Sequence, residues 1–199
     1  MKAIFKLIHL LPFVTILVTG CYKRNFFPDG DDPGLSRFTS RGYNVITAYI
    51  NSTPYINPFS KTRGNDLPTF IKVVSSGASD TLNFSWRFVE NDPAGISYQN
   101  EKAISISIPM PKSFSRDDFF ALQGKRFDSE TCRLSLSSNQ PGSVSGTANI
   151  YFTSIAFTPP SPTGNNAILS GLFNGNIGDS ILITKGRFDF AINTDKINF

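Results

Sequence analysis

The chain is 199 residues long, 40% hydrophobic and 17% charged, with a formal net charge of +4. That length suits about one domain; the composition excludes a coiled coil and a wholly disordered chain, and the charge excess is too small for nucleic-acid binding. Nineteen Phe, 15 Gly and 13 Pro favour short strands with punctuated turns over helices.

Residues 1–20 read as a secretory signal. Lys2 and Lys6 form its positive start, and the apolar run Leu7–Val18, broken by His9 and Pro12, follows. A helical span across the bilayer needs about 20 apolar residues, so this run is too short for a retained transmembrane helix. The segment Val18-Thr19-Gly20-Cys21 resembles the bacterial lipobox: an aliphatic residue, two small ones, then the cysteine of that family. The resemblance implies that the Cys21 thiol receives a diacylglyceryl group and that cleavage makes Cys21 the first mature residue. Several acyl chains, each contributing about 0.8 kcal/mol per buried CH₂, make a durable membrane anchor. The implied address is the bacterial cell envelope, at the outer membrane. Tyr22-Lys23-Arg24-Asn25, just after Cys21, lacks the acidic run associated with surface export in such proteins.

Loss of the signal sharpens what the chain can do. Removing Lys2 and Lys6 from 19 Lys+Arg leaves 17 against 15 Asp+Glu, a net of +2, which supports no nucleic-acid partner. His9, the one histidine, leaves too. The mature protein then has no imidazole for a Ser-His-Asp or Cys-His site or for a His-ligated metal. With Cys21 held as a thioether, Cys132 is the one remaining thiol, and no intrachain disulfide can form.

Residues 21–41, with Pro28-Asp29-Gly30-Asp31-Asp32-Pro33-Gly34, have the composition of a flexible lipidated tether. The Asp29–Asp32 run lacks the full alternating ligand series and distal Glu of a calcium loop. It reads as solvated tether, and neither a metal nor a cofactor is expected. Residues 42–199 read as a single β domain. Leu82, Phe84, Trp86 and Phe88 alternate with polar residues, as do Ile104, Ile106, Ile108 and Met110, and Cys132, Leu134 and Leu136; this period of two marks half-buried strands. Further strands are expected at 43–50, 69–74, 148–157, 167–173, 180–184 and 187–192, with turns at 91–95, 139–142 and 174–176. The Pro-rich stretch 159–162 reads as a long strand connection. One helix is expected within 113–123, capped by Ser115, favoured by Asp117 and Asp118 at its positive end and stopped by Gly124. The economical architecture is an antiparallel β-sandwich or barrel with one short helix.

The segments 168–173, 178–184 and Gly186-Arg187-Phe188-Asp189, with Val45-Ile46-Thr47-Ala48-Tyr49-Ile50-Asn51 as a first strand, resemble small uncharacterised envelope lipoproteins of the Bacteroidota. The resemblance implies compartment and all-β fold, and it carries no catalytic residues. The carboxylate pairs Asp117/Asp118, Glu90/Asp92 and Asp128/Glu130 lie beside turns, whereas a glycosidase needs two carboxyls about 5–9.5 Å apart across a cleft. Cys132 alternates with leucines and reads as core. Tyr43, Tyr49, Tyr55, Tyr98 and Tyr151, with Trp86, offer flat faces for sugar rings. Tyr49 and Tyr55, flanking Asn51-Ser52-Thr53-Pro54, form the candidate ligand platform. Asp80-Thr81-Leu82 and Asp179-Ser180-Ile181 look like Bacteroidota O-glycosylation acceptors at Thr81 and Ser180. The expected function is non-enzymatic: an anchored binding or structural domain that meets the membrane through Cys21 and takes a glycan or envelope-protein ligand. The alternatives are a glycan-acting hydrolase and a lipid or small-ligand carrier barrel.

Overall fold

The computed structural model describes residues 27–57, 69–92, 95–138, 142–159, 166–197 and 199. Nine strands run β1 Val45–Ile50, β2 Thr53–Ile56, β3 Thr69–Ser76, β4 Ser79–Asp92, β5 Gly95–Met110, β6 Arg126–Ser138, β7 Ser143–Phe157, β8 Asn166–Ile177 and β9 Ile181–Asn193. A short helix, α1 (Arg116–Phe120), separates β5 from β6, and a 3-10 turn, Thr194–Lys196, follows β9. All pairings are antiparallel, in the order β2-β1-β9-β8-β7-β6-β5-β4-β3. β2 also pairs with β4, through Tyr55↔Glu90 and Ile56↔Val89. The ladder therefore closes into a barrel, in which β3 continues the line of β2 along β4.

The alternation read in the sequence decides which side faces in. Leu82, Phe84, Trp86 and Phe88 of β4, Ile104, Ile106 and Ile108 of β5, and Cys132 and Leu134 of β6 are all buried. Phe152, Phe173, Phe188 and Phe190 fill the opposite wall, with Trp86 edge-on to Phe173 and Phe152 edge-on to Phe188. Small inward residues face these rings: Gly171 lies between Phe152 and Phe188, and Gly186 lies opposite Phe173. A Cβ on Gly186 would stand 2.5 Å from the Phe173 carbonyl, so the large-small pairing is obligatory there. The outer wall is polar, with Asn83, Ser85, Arg87, Ser105, Arg133 and Asn149 outward. That is the reverse of a barrel whose wall faces lipid.

α1 forms where the sequence places it. Ser115 and Asp118 make a reciprocal capping box, Asp117 and Asp118 occupy the first turn, and Gly124 at φ 74° ends the segment. Phe119 points into the core beside Phe199, and Phe114 packs on the same ring. Buried Asp80 holds the approach to α1 by accepting the Phe114 N–H at 2.8 Å and the Ser75 hydroxyl at 2.8 Å, with Lys112 alongside.

Three expectations are corrected here. Residues 27–41 are not a free tether: they form a strap packed on the outside of β1 and β9, with Leu35 and Ser36 buried. The segment Asn174-Gly175-Asn176 is not a turn but lies inside β8, because the asparagines point outward while Gly175 faces Ala148 inward. The run 180–192 is one strand rather than two, because its break in alternation is a bulge. β9 spends one extra residue against both β1 and β8 between Ile183 and Arg187, and Lys185 adopts a left-handed φ of 51° there. β2 was not anticipated; Pro54 within a four-residue run hides it. The expected turn residues 93–94 and 139–141, and most of the 159–162 connection, lie outside the described residues.

Candidate functional site

The outward residues of β6 to β9 form two rows across the barrel wall. Register places Arg126 beside Tyr151, Tyr151 beside Leu172, and Leu172 beside Arg187. Asn149 and Asn174 face each other one step along. Together with Phe38 of the strap, these residues line an open groove of about 820 Å³. Its floor is the sheet and one of its walls is the strap.

Each part of the groove is held in place by local chemistry. The Arg126 guanidinium lies 4.5 Å above the Tyr151 ring centroid, a cation–π contact that fixes the ring. Asn149 donates through Nδ2 to Asn174 Oδ1 at 2.8 Å and accepts the Ser129 N–H at 3.0 Å; Thr147 donates to Asn176 Oδ1 at 2.8 Å beside them. This amide ladder orients each side chain through its neighbour across the strand. Leu172 and Phe38 remain exposed, at 41% and 37%, and supply the apolar surface. Among the lining residues Asp128 is the one carboxylate. It accepts the Thr131 hydroxyl at 2.9 Å and the Thr131 and Glu130 N–H groups, and these bonds, those of Thr131 foremost, hold its carboxyl below the usual range.

The strap wall is fastened by charge. Arg187 binds Asp29 and Asp32 through separate nitrogens and donates to the Ser36 carbonyl at 3.0 Å, and Lys185 binds Asp32 as well. The β9 bulge places Lys185 on the outer face next to Arg187, so one strand segment grips both aspartates. Lys185 and then Arg187 hold the Asp32 carboxyl below its ordinary range; the Asp31 backbone N–H and then Arg187 do so for Asp29, and the Asp32 bond raises Lys185. Further along, buried Asp189 accepts the Thr39 hydroxyl and the N–H groups of Arg41, Gly42 and Tyr43. Asp29 and Asp32 consume the charges of Lys185 and Arg187. Arg126, exposed and without a carboxylate partner among the described residues, is the groove's available cation.

Tyr49 and Tyr55 do not form a common platform. Register sets Tyr55 opposite Ala48, one residue from Tyr49, so the two rings take opposite faces of the sheet. Tyr55 is 5% exposed. Tyr49 lies under the strap and donates its hydroxyl to the Pro33 carbonyl at 2.8 Å. Burial raises the pKa of both phenols. Of the tyrosines weighed for stacking, Tyr151 reaches the groove, and the Tyr98 side chain lies outside the described residues.

Ser180 is exposed on the β8–β9 turn, whereas Thr81 is half-buried inside the β4 ladder beside the structural Asp80. Asp118 serves the α1 cap and Glu90 accepts from Asn100 at 2.6 Å. Cys132 is fully buried, and desolvation pushes its thiol up to about 12. Cys21 and the signal lie outside the described residues. No family model, curated protein or solved structure matches this chain. Sequence reasoning missed Arg126, Leu172, Asn149 and Asn174. Their signal was their outward position on neighbouring strands, which needs the register to be seen.

Proposed function

We propose that this chain is a lipid-anchored lipoprotein of the bacterial envelope whose barrel binds a glycan in the β6–β9 groove without catalysis. The observation that carries the reading is the groove itself: a tyrosine ring fixed by arginine, a paired-amide ladder and exposed apolar side chains within one open depression of about 820 Å³. Sugars present apolar ring faces and hydroxyl edges, and they need both kinds of partner together. Anchoring through Cys21, at the outer membrane, rests on the Val18–Cys21 lipobox resemblance.

The two alternatives draw less support. A hydrolase would need a second carboxyl about 5–9.5 Å from the first, and Asp128, already tied to Thr131, has no such companion among the lining residues. A lipid carrier would need the interior that Phe84, Trp86, Phe88, Phe152, Phe173 and Phe188 occupy.

Titration calorimetry against a panel of envelope and dietary oligosaccharides tests the binding reading. Tyr151→Ala is expected to weaken the best ligand about tenfold, equivalent to about 1.4 kcal/mol, with circular dichroism unchanged. Binding that survives Tyr151→Ala and Asn149→Ala undiminished would place the ligand elsewhere. Cys21→Ala is expected to leave an unprocessed precursor without acyl chains, read by mass spectrometry; normal membrane retention of acyl-free protein would remove the anchor.

A further inference from the structure

Strand direction gives the barrel two unlike ends. One carries the tight connections β1–β2, β4–β5, β6–β7 and β8–β9, together with the strap loop at Asp32–Gly34, which reaches Tyr49 and Asn91. The other carries α1, the end of β7, the 3-10 turn and the two-residue β3–β4 turn at Ser76↔Ser79. The strap enters at this second end, because the Phe27 ring packs at a tilt against Tyr43, 5.2 Å between centroids, just before β1 begins.

Exposed aromatic side chains gather at that second end. Phe157, at the last position of β7, is 62% exposed and stacks on Phe120 of α1 at 3.8 Å. Arg116 lies 5.6 Å from the Phe157 ring and 6.0 Å from Phe120. Phe199 and Phe27 add exposed rings, at 39% and 42%. Lys125 and Lys196 are exposed around them, as are Asp117, Asp118 and Asp195, the last of which lies 3.9 Å from the Arg116 guanidinium. The first end has no such ring among its described side chains. Exposed aromatic rings bordered by basic side chains form the composition that settles at a lipid headgroup boundary.

We propose that the barrel seats this end, Phe157, Phe120, Arg116, Phe199 and Phe27, on the surface of the membrane that holds its own anchor. The inference rests on the lipidation of Cys21 argued above. Five residues separate Cys21 from Phe27, and even fully extended they reach about 20 Å. Because residues 27–41 are strapped to the wall, no long tether remains to lift the domain away. The leash delivers the aromatic end to the bilayer, and the polar wall keeps the rest of the barrel in water. The groove then opens sideways, and the β1–β2 and β8–β9 turns point outward.

The test uses the full lipoprotein reconstituted in vesicles of phosphatidylethanolamine and phosphatidylglycerol. An environment-sensitive fluorophore is placed on Phe157→Cys, Phe199→Cys or Ser180→Cys; Cys132 is buried and Cys21 is consumed by lipid. At 157 and 199 the probe is expected to shift to the blue and to lose intensity with brominated acyl chains, while at 180 it emits as in water. Acylated protein with all three probes water-exposed overturns the seating and leaves the anchor intact. A blue shift that ignores brominated lipid and grows with protein density assigns the patch to a second copy and also overturns it. Absence of acyl chains on Cys21 by mass spectrometry removes the anchor and the seating together.

Discussion

Trp86 is 2% exposed inside the barrel, edge-on to Phe173 and Phe88, and its indole N–H has no hydrogen-bond partner among the described residues. Its bulk therefore stabilises the fold while its polar atom costs. Trp86→Ala is expected to lose about 3–5 kcal/mol through the cavity left behind. Trp86→Phe should cost much less, because it removes an unpaired donor that itself costs about 1–3 kcal/mol. Denaturant unfolding measures both, and equal losses would show that the N–H is satisfied. As the one tryptophan, Trp86 should emit in the blue and resist iodide; red emission that responds to added glycan would return it to a ligand site. Cys132 gives a second test, since burial pushes its thiol to about 12. It should ignore thiol reagents until the barrel unfolds, and Cys132→Ser should cost about 1–3 kcal/mol through an unpaired hydroxyl. Immediate labelling of native protein would contradict its place in the wall.

The strap is the element whose attachment depends on charge. The depressed carboxyls of Asp29 and Asp32 contribute attachment that is complete above their ordinary 3.8 and fades as pH falls through their lower folded values. Lys185, raised above its ordinary 10.5, contributes fully below that value and loses its part only as pH climbs through the higher folded one. Docking should therefore hold across the interval between 3.8 and 10.5 and yield at its acidic edge. Limited proteolysis within 27–41 reads this directly, and a release near neutrality would show that other contacts govern it. Arg187→Met should expose the same bonds to protease at neutral pH while the barrel keeps its circular dichroism. Leu35 would still favour the wall, so cleavage should rise without becoming complete.

At the scale of the whole molecule, closure rests on a narrow seam. Among the described residues β2 meets β4 at Tyr55↔Glu90 and Ile56↔Val89, whereas β8 and β9 pair along most of their length. Amide exchange is expected to be faster at residues 55–56 than at the centres of β8 and β9, since local opening begins where few paired groups hold a segment. Equal protection at the seam would mean that the ring opens only with global unfolding. Beside this seam β1 pairs with β9 at Val45↔Asp189, Ile46↔Phe188 and Thr47↔Arg187. Asp189 and Arg187 thus pair with β1 through their backbones and fasten the strap with their side chains.

Period-two alternation by itself determined the all-β class, the inward faces of β4, β5 and β6 and the burial of Trp86 and Cys132, and the capping residues Ser115, Asp117 and Asp118 with Gly124 determined the short helix, because each depends on neighbours a few residues away. Tertiary structure decided the rest. The composition of 27–41 is that of a solvated tether, yet Asp29 and Asp32 find Lys185 and Arg187, far along the chain, across a packed surface. Tyr49 and Tyr55 read as a pair until register set them on opposite faces, and Asn174-Gly175-Asn176 read as a turn until Ala148 stood opposite Gly175. The groove joins residues of the strap and four strands, and their adjacency follows from strand order and register, which no local pattern encodes.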